Sequence, residues 1–156
     1  MCIRDRVNNI HALLLTRGDQ CIATPNYHVF RMYAAHRGGQ ALRAMFLDPA
    51  ITYQYQGKQA TLPGLSGSAS QQGKVITLTV VNPDAAAARE AGIRIRGAAV
   101  TAAQATVLSS PDLTAHNSFE APEVLQPRPA AVRVANGEVV FAFPAASVSA
   151  LRLEIG

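Results

Sequence analysis

The sequence contains no tryptophan, little cysteine and few charged side chains. Its 156 residues include two cysteines, and Asp, Glu, Lys and Arg together make up 15% of them. A disulfide-stapled secreted scaffold carries several cysteines in a shorter chain, so none is predicted here. Apolar runs are also short compared with the roughly 20 residues that a membrane-spanning helix needs. The sequence therefore predicts neither a disulfide framework nor a membrane partner.

Sequence signatures of enzyme sites are missing as well. No histidine stands in an H-x-x-x-H pair or near a cysteine pair, so zinc-ligand spacing is absent. The sequence has no G-x-S-x-G elbow, no G-x-G-x-x-G run and no phosphate loop, and no two carboxylates are paired for acid–base work. We therefore expect no metal, no cofactor and no catalytic residue within this chain. An ordinary surface or hydrogen-bonded role is predicted for each histidine, namely His11, His28, His36 and His116.

Charge and hydrophobicity are those of one globular domain. Hydrophobic residues make up 49% of the chain, which is enough for a single core, and the net charge is +4. The basic residues are scattered singly instead of forming a stripe or a run. This distribution gives no support for a nucleic-acid partner.

The first six residues, MCIRDR, differ from the rest. They have neither the apolar run of a signal peptide nor a helical period, and they look like a translated sequencing adapter. Residues 1–6 are therefore left out of the fold prediction. On this interpretation the natural protein starts upstream of Val7, and the chain is a truncated C-terminal piece.

The next part of the chain predicts a helix, a strand and a second helix. Residues 7–15 fit the tail of a helix that ends near Gly18, a residue suited to a left-handed C-terminal position. Residues 21–23 predict a short buried strand. Thr24 then fits a helix N-cap, with proline at the first helical position. This order is typical of an α/β protein with parallel strands.

From residue 39 onward the apolar pattern changes to period two, which strands require. Asn136-Gly137, between two apolar runs, predicts a two-residue hairpin. Short strands separated by turns indicate an antiparallel β-sandwich from about Leu42 to Ile155. Other turns are predicted at residues 57–58, 67–68, 82–84 and 110–112, with a loop or one helical turn at residues 85–90. The predicted core contains Ile76, Leu78, Val80, Ile93, Ile95, Phe141 and Leu153.

Four segments in this order resemble the C-terminal end of family 51 α-L-arabinofuranosidases. They are VNNIHALLLT at residues 7–16, TPNYHVFRMY at residues 24–33, HNSFE at residues 116–120 and PAASV at residues 144–148. In that family a catalytic (β/α)8 barrel is followed by a C-terminal β-sandwich. The resemblance implies a mainly β chain, in which residues 7–38 are the last helix-strand-helix of the barrel and residues 39–156 are the sandwich.

The resemblance also implies a mechanism. Family members are retaining exo-glycosidases that use two glutamates on barrel strands upstream of this chain, and such a pair lies roughly 5–5.5 Å apart. The chain by itself is therefore expected to be inactive. Thr24 and Tyr27, at the end of the last barrel strand, are the candidate substrate-binding residues. N-capping is the competing interpretation for Thr24, and packing of the barrel helix is the competing interpretation for Tyr27.

The HNSFE loop is interpreted as structural, with Phe119 anchoring a long connection and Asn117 bonding to backbone. The expected partners of the full-length enzyme are arabinofuranosyl oligosaccharides, the N-terminal barrel and further copies of itself. A cytoplasmic location is expected from the lone Cys21 and from the habit of the family, with a secreted precursor as the alternative.

Two other functions fit parts of the pattern. One is a non-catalytic β-sandwich that binds carbohydrate or serves in adhesion, although the missing tryptophan and the helix-strand-helix segment count against it. The other is the tail of a different barrel-plus-sandwich glycosidase, such as a β-xylosidase, because architecture alone does not fix the sugar.

Overall fold

A computed structural model describes residues 11–156 of the chain. The adapter-like residues 1–6 and the beginning of the helix predicted from residue 7 lie outside the described residues. The strands are β1 (Leu14–Arg17), β2 (Gln20–Ala23), β3 (Gln40–Leu42), β4 (Ile51–Tyr55), β5 (Lys58–Leu62), β6 (Ser66–Gln72), β7 (Val75–Asn82), β8 (Arg89–Ile93), β9 (Val100–Ser109), β10 (Arg128–Ala130), β11 (Arg133–Ala135), β12 (Glu138–Phe143) and β13 (Ser147–Ile155). One α-helix, α1 (Pro25–Tyr33), and a 3-10 turn, Ala34–His36, lie between β2 and β3.

Two antiparallel sheets form the sandwich, as predicted. The larger has the strand order β10-β9-β13-β7-β6-β3, and the smaller has the order β11-β12-β8. Alternate residues of β7, β12 and β13 fill the core between them, because every second side chain of a strand points to the same face. Of the predicted core residues, Ile76, Leu78, Val80, Phe141 and Leu153 are buried.

Ile93 and Ile95 are only half-buried, although they were predicted to belong to the core. Ile93 ends β8, which is an edge strand of the smaller sheet, and Ile95 follows that end. An edge strand has a neighbour on one side only, so its side chains keep more contact with water. Both isoleucines still pack against the buried cluster.

The segment before α1 is a β-hairpin, so the predicted helix at residues 7–15 is wrong in its described part. Leu14 and Leu15 belong to β1, which pairs antiparallel with β2. Gly18 has a φ of 62°, which suits the first position of a two-residue hairpin turn instead of a helix end. The prediction failed because a short apolar run fits a strand and a helix equally well. The strands β1 and β2 are therefore not parallel.

Two turn predictions had opposite outcomes. Asn136-Gly137 joins β11 to β12 with φ values of 52° and 77°, as the favoured two-residue hairpin turn requires. The turn predicted at residues 67–68 is wrong, because Gly67 lies within β6. A Cβ placed on Gly67 would lie 1.9 Å from the carbonyl oxygen of Thr79, so the glycine permits close approach of β7.

Candidate functional site

The end of β2 and the start of α1 form the first part of the candidate site. Thr24 caps the helix, because its hydroxyl oxygen accepts from the backbone N–H of Tyr27 at 3.4 Å. The same hydroxyl donates to the carbonyl oxygens of Ala12 and Leu13, at 2.7 Å and 3.1 Å. The capping interpretation of Thr24 is confirmed. Since these backbone groups already engage the hydroxyl, contact of Thr24 with substrate stays a prediction.

Tyr27 lies on the first turn of α1 and is half-buried. Its ring meets the ring of His28 edge to face, with centroids 5.7 Å apart. The guanidinium of Arg31, one helical turn later, lies 5.9 Å from the Tyr27 ring centroid. These neighbours all belong to α1, so the tyrosine is oriented by its own helix.

A loop of the sandwich is bonded to this junction through Asn117, which is 3% exposed. The side-chain amide donates to the carbonyl oxygen of Ala23 at 2.9 Å and to that of Leu125 at 3.0 Å. Its oxygen accepts from the N–H of Leu125 at 2.7 Å. We call these three residues the Asn117 clamp. The predicted backbone-bonding role of Asn117 is confirmed, and the clamp ties the loop to the last residue of β2.

Strand β1 is bonded to the same loop through Arg17, its last residue. Its guanidinium lies 4.3 Å from the centroid of the Phe119 ring and pairs with the carboxylate of Glu120 at 3.0 Å. The pKa of Glu120 is lowered, first by a hydrogen bond to its own backbone N–H and then by Arg17. The predicted anchoring role of Phe119 therefore has a partner in the hairpin.

A groove of about 790 Å³ lies between α1 and the outer face of the larger sheet. Side chains of His28, Arg31, Gln104 and Arg152 are among those that line it, and none of its described lining residues is Phe, Trp or Tyr. Burial, and secondarily the charge of Arg31, lowers the pKa of His28. The groove offers hydrogen-bonding groups but no aromatic surface on which a sugar ring could stack.

His36 attaches the 3-10 turn to the larger sheet. Its Nδ1 lies 2.7 Å from the hydroxyl oxygen of Ser70, and its Nε2 lies 3.0 Å from that of Thr79. Burial lowers the pKa of the imidazole. The prediction of a hydrogen-bonded histidine holds here, whereas its two partners could not be predicted from sequence.

Comparison with known proteins shows the family of the chain. The family described as the α-L-arabinofuranosidase C-terminal domain matches residues 1–147. The chain belongs to this family. The chain is also 30% identical over 152 residues to an intracellular exo-α-L-arabinofuranosidase of Bacteroides ovatus. That match covers 95% of this chain and 29% of the relative.

Solved structures of arabinofuranosidases share the architecture of this domain. The family 51 enzyme from Xanthomonas axonopodis pv. citri superposes with a TM-score of 0.85 at 28% identity, covering 95% of this chain and 30% of that one. A family 51 enzyme from Bifidobacterium longum gives a TM-score of 0.81 at 22% identity, over 95% of this chain and 29% of that one. At that lower identity the likeness concerns the fold alone. The chain thus spans less than a third of the length of these relatives.

Asp48 and Asp84 are two further carboxylates of the domain, and both take part in ion pairs. Asp48 and Asp84 both pair with the guanidinium of Arg89, at 2.5 Å and 3.2 Å. The pKa of Asp84 is lowered, first by the backbone N–H groups of Ala86 and Ala87 and then by Arg89. This carboxylate therefore stays ionised and is unsuited to act as a general acid.

Residues 11–156 contain neither a candidate metal site nor a helix that could cross a membrane. This part of the chain contains no cluster of three or more His, Cys, Asp or Glu side chains that could hold a metal ion. Its helix is too short to cross a membrane. Cys21 is a free, exposed thiol.

Sequence reasoning missed Arg17. Its bond with Glu120 spans 103 positions, and no local pattern connects an arginine at the end of a strand with a distant loop. The HNSFE motif at residues 116–120 was the available signal, because it marked the loop without indicating what the loop contacts.

Proposed function

We propose that this chain is the C-terminal part of an enzyme that releases terminal non-reducing α-L-arabinofuranosyl residues from arabinose-containing oligo- and polysaccharides. The family match over residues 1–147 carries the proposal. The structural likeness to the Xanthomonas arabinofuranosidase, with a TM-score of 0.85, supports it. A β-xylosidase tail is the alternative, since a shared architecture does not fix the sugar.

In this proposal the catalytic chemistry belongs to a barrel upstream of the chain. A retaining mechanism needs one carboxylate to attack the anomeric carbon and a second carboxyl group to protonate the leaving oxygen, roughly 5–5.5 Å apart. The chain alone is then inactive. Residues 7–38 complete the barrel, and residues 39–156 form the sandwich that packs beside it.

The chain itself contributes part of the pocket wall. Of the two candidate substrate-binding residues, Tyr27 is favoured over Thr24, because the Thr24 hydroxyl is already bonded to backbone oxygens. Tyr27 is half-buried at the start of α1, directly after the last residues of the hairpin. A tyrosine ring with a hydroxyl can bound a sugar pocket and offer it one hydrogen bond.

The outer surface of α1 has an exposed apolar side chain that a neighbouring domain could cover. Phe30 is 62% exposed, although it lies in the middle of the helix. We assign this position to the contact with the upstream barrel. A cytoplasmic, homo-oligomeric enzyme is the corresponding proposal for the whole protein, supported by the name of the Bacteroides relative for the location.

The proposal is tested with two proteins: the isolated chain, and the same chain joined to its upstream coding region. Both are assayed for release of p-nitrophenol from the aryl α-L-arabinofuranoside and from the aryl β-D-xyloside. We expect turnover of the arabinoside by the long protein only. Turnover by the isolated chain would refute the proposal that the upstream barrel carries the catalytic residues. Preference of the long protein for the xyloside would identify a β-xylosidase.

The role of Tyr27 is tested in the long protein by Tyr27→Phe. Loss of one hydrogen bond to the sugar is expected to lower kcat/KM by a factor of about ten. Thr24→Val is the comparison, and its main expected effect is a loss of stability of about 1 kcal/mol through the helix cap. Unchanged kinetics in Tyr27→Phe would leave this hydroxyl without a role in binding.

A further inference from the structure

We propose that Asn117 is a positioning residue for the pocket wall. In this proposal a side chain of the sandwich fixes the turn from β2 into α1, and through that turn it sets the position of Tyr27. The inference rests on the proposed function, which places this turn at the arabinose pocket. The structural part of the proposal, that Asn117 fixes this turn, concerns the described residues alone.

The turn is held from two opposite sides. On one side the backbone N–H of Thr24 donates to the carbonyl oxygen of Leu13 at 3.0 Å, and the Thr24 hydroxyl donates to the carbonyl oxygen of Ala12. On the other side Asn117 donates to the carbonyl oxygen of Ala23. Since Ala23 and Thr24 are consecutive, the two sets of bonds fix one peptide unit from both directions.

The Asn117 side chain leaves its loop little freedom. Both amide protons and the amide oxygen are bonded to backbone groups, and the residue is 3% exposed. Buried hydrogen bonds of this kind are costly to break, because the partner groups would be left without water or protein to bond. The loop therefore holds β2 with a defined geometry.

The second tie between the loop and the hairpin is weaker. The side chains of Arg17 and Glu120 are 57% and 71% exposed, and ion pairs in contact with water contribute little. The clamp is therefore the main restraint that the sandwich places on the end of β2. Removing it should let the turn shift while the hairpin itself stays paired.

A shift of the turn would reach Tyr27 through the helix cap. The N–H of Tyr27 donates to the Thr24 hydroxyl, and the N–H of His28 donates to the Thr24 carbonyl oxygen at 3.4 Å. A pocket wall displaced by a fraction of an ångström binds the sugar less well in the ground state and in the transition state alike. Such a loss of uniform binding raises KM and leaves kcat nearly unchanged.

The test compares Asn117→Ala with Asn82→Ala in the long protein. Asn82 is a matched control, because it is fully buried and its amide nitrogen bonds to backbone oxygens of Ala87, Phe143 and Pro144, none of which belongs to the hairpin, to α1 or to the loop of Asn117. Both variants should lose stability. Only Asn117→Ala is expected to raise KM for the aryl arabinoside, about tenfold, with kcat changed by less than about threefold.

Hydrogen exchange on the isolated chain tests separately whether Asn117 fixes the turn from β2 into α1. We expect exchange at the amides of Thr24, Tyr27 and His28 to become about tenfold faster in Asn117→Ala and to stay unchanged in Asn82→Ala. Equal exchange in the two variants, or a KM as low as that of the unmodified protein, would overturn the proposal. If the unmodified long protein fails to hydrolyse the arabinoside, the proposed function is lost, and the exchange result still decides whether Asn117 positions the turn.

Discussion

His36 contacts two hydroxyl groups of the larger sheet through its two ring nitrogens. A neutral imidazole can donate to one hydroxyl and accept from the other, whereas the protonated ring can only donate. Burial holds the pKa of His36 below its usual value of 6.5. The folded protein therefore favours the neutral ring, and acidification favours the unfolded chain, which takes up the proton more readily.

The coupling between protonation of His36 and unfolding predicts how stability depends on pH. Stability should fall as the pH drops below the unfolded pKa of about 6.5 and should level off below the lower folded pKa. His36→Gln, which keeps a donor and an acceptor, should show a smaller decrease in Tm between about pH 7.5 and about pH 5.5. His116→Gln, on an exposed loop, is the control and should keep the full decrease. Equal decreases in the protein and in His36→Gln would contradict the assignment.

Sequence could predict individual residues where the chemistry is local. Thr24 was predicted as an N-cap because threonine before proline satisfies the first backbone N–H groups of a helix. Asn117 was predicted to bond to backbone, but its partner Ala23 lies 94 positions earlier and could not be deduced. The contacts of Arg17 and His36 could not be deduced for the same reason, since their partners lie 103 positions away for Arg17 and 34 and 43 positions away for His36.

At the scale of elements, Gly67 shows why two strands of the larger sheet can pair closely. It faces the carbonyl group of Thr79 on the neighbouring strand, and a methyl group there would meet the oxygen at 1.9 Å. Gly67→Ala must therefore push β6 away from β7, and we expect a loss of about 1–3 kcal/mol in the free energy of unfolding, measured by urea denaturation.

The matched control is Gly92→Ala, in strand β8. A Cβ at Gly92 would meet nothing within 4 Å, so its effect on stability should stay within about 0.5 kcal/mol. Two variants with the same loss of stability would show that the close approach at Gly67 is not what constrains the sheet.

Strands and hairpins could be predicted where the residues of the connecting turn favour one turn conformation. Asn136-Gly137 fixed its hairpin, since the two residues favour the positive φ values that the turn needs. At Gly67 the predicted turn was wrong, because a glycine that permits close approach of a neighbouring strand cannot be distinguished from a turn glycine in the sequence. The run Leu13-Leu14-Leu15 misled for a related reason, because only pairing with β2 decides between strand and helix.

At the scale of the whole molecule, two of the regions that expose apolar side chains are α1 and the two-stranded sheet of β4 and β5. Phe30 lies on α1, whereas Met45, Leu47 and Tyr55 lie in or beside the two-stranded sheet of β4 and β5. Phe30 is exposed, whereas other apolar residues of the hairpin and α1 are half-buried, namely Leu13, Leu14, Leu15, Ile22 and Val29. Much of the apolar surface of the hairpin and α1 is thus already partly covered within the described chain.

The two regions should behave differently once the barrel is joined. In the isolated chain, exposed apolar surface favours self-association, so Phe30→Ser and Leu47→Ser should each lower the fraction of oligomer seen by sedimentation velocity. In the long protein the proposed barrel covers Phe30, so Phe30→Ser should instead lower Tm by several degrees through loss of a buried contact. Leu47, which is 93% exposed, has no such assignment, and Leu47→Ser should leave the Tm of the long protein unchanged. If Phe30→Ser left that Tm unchanged as well, α1 would not be the surface on which the barrel packs.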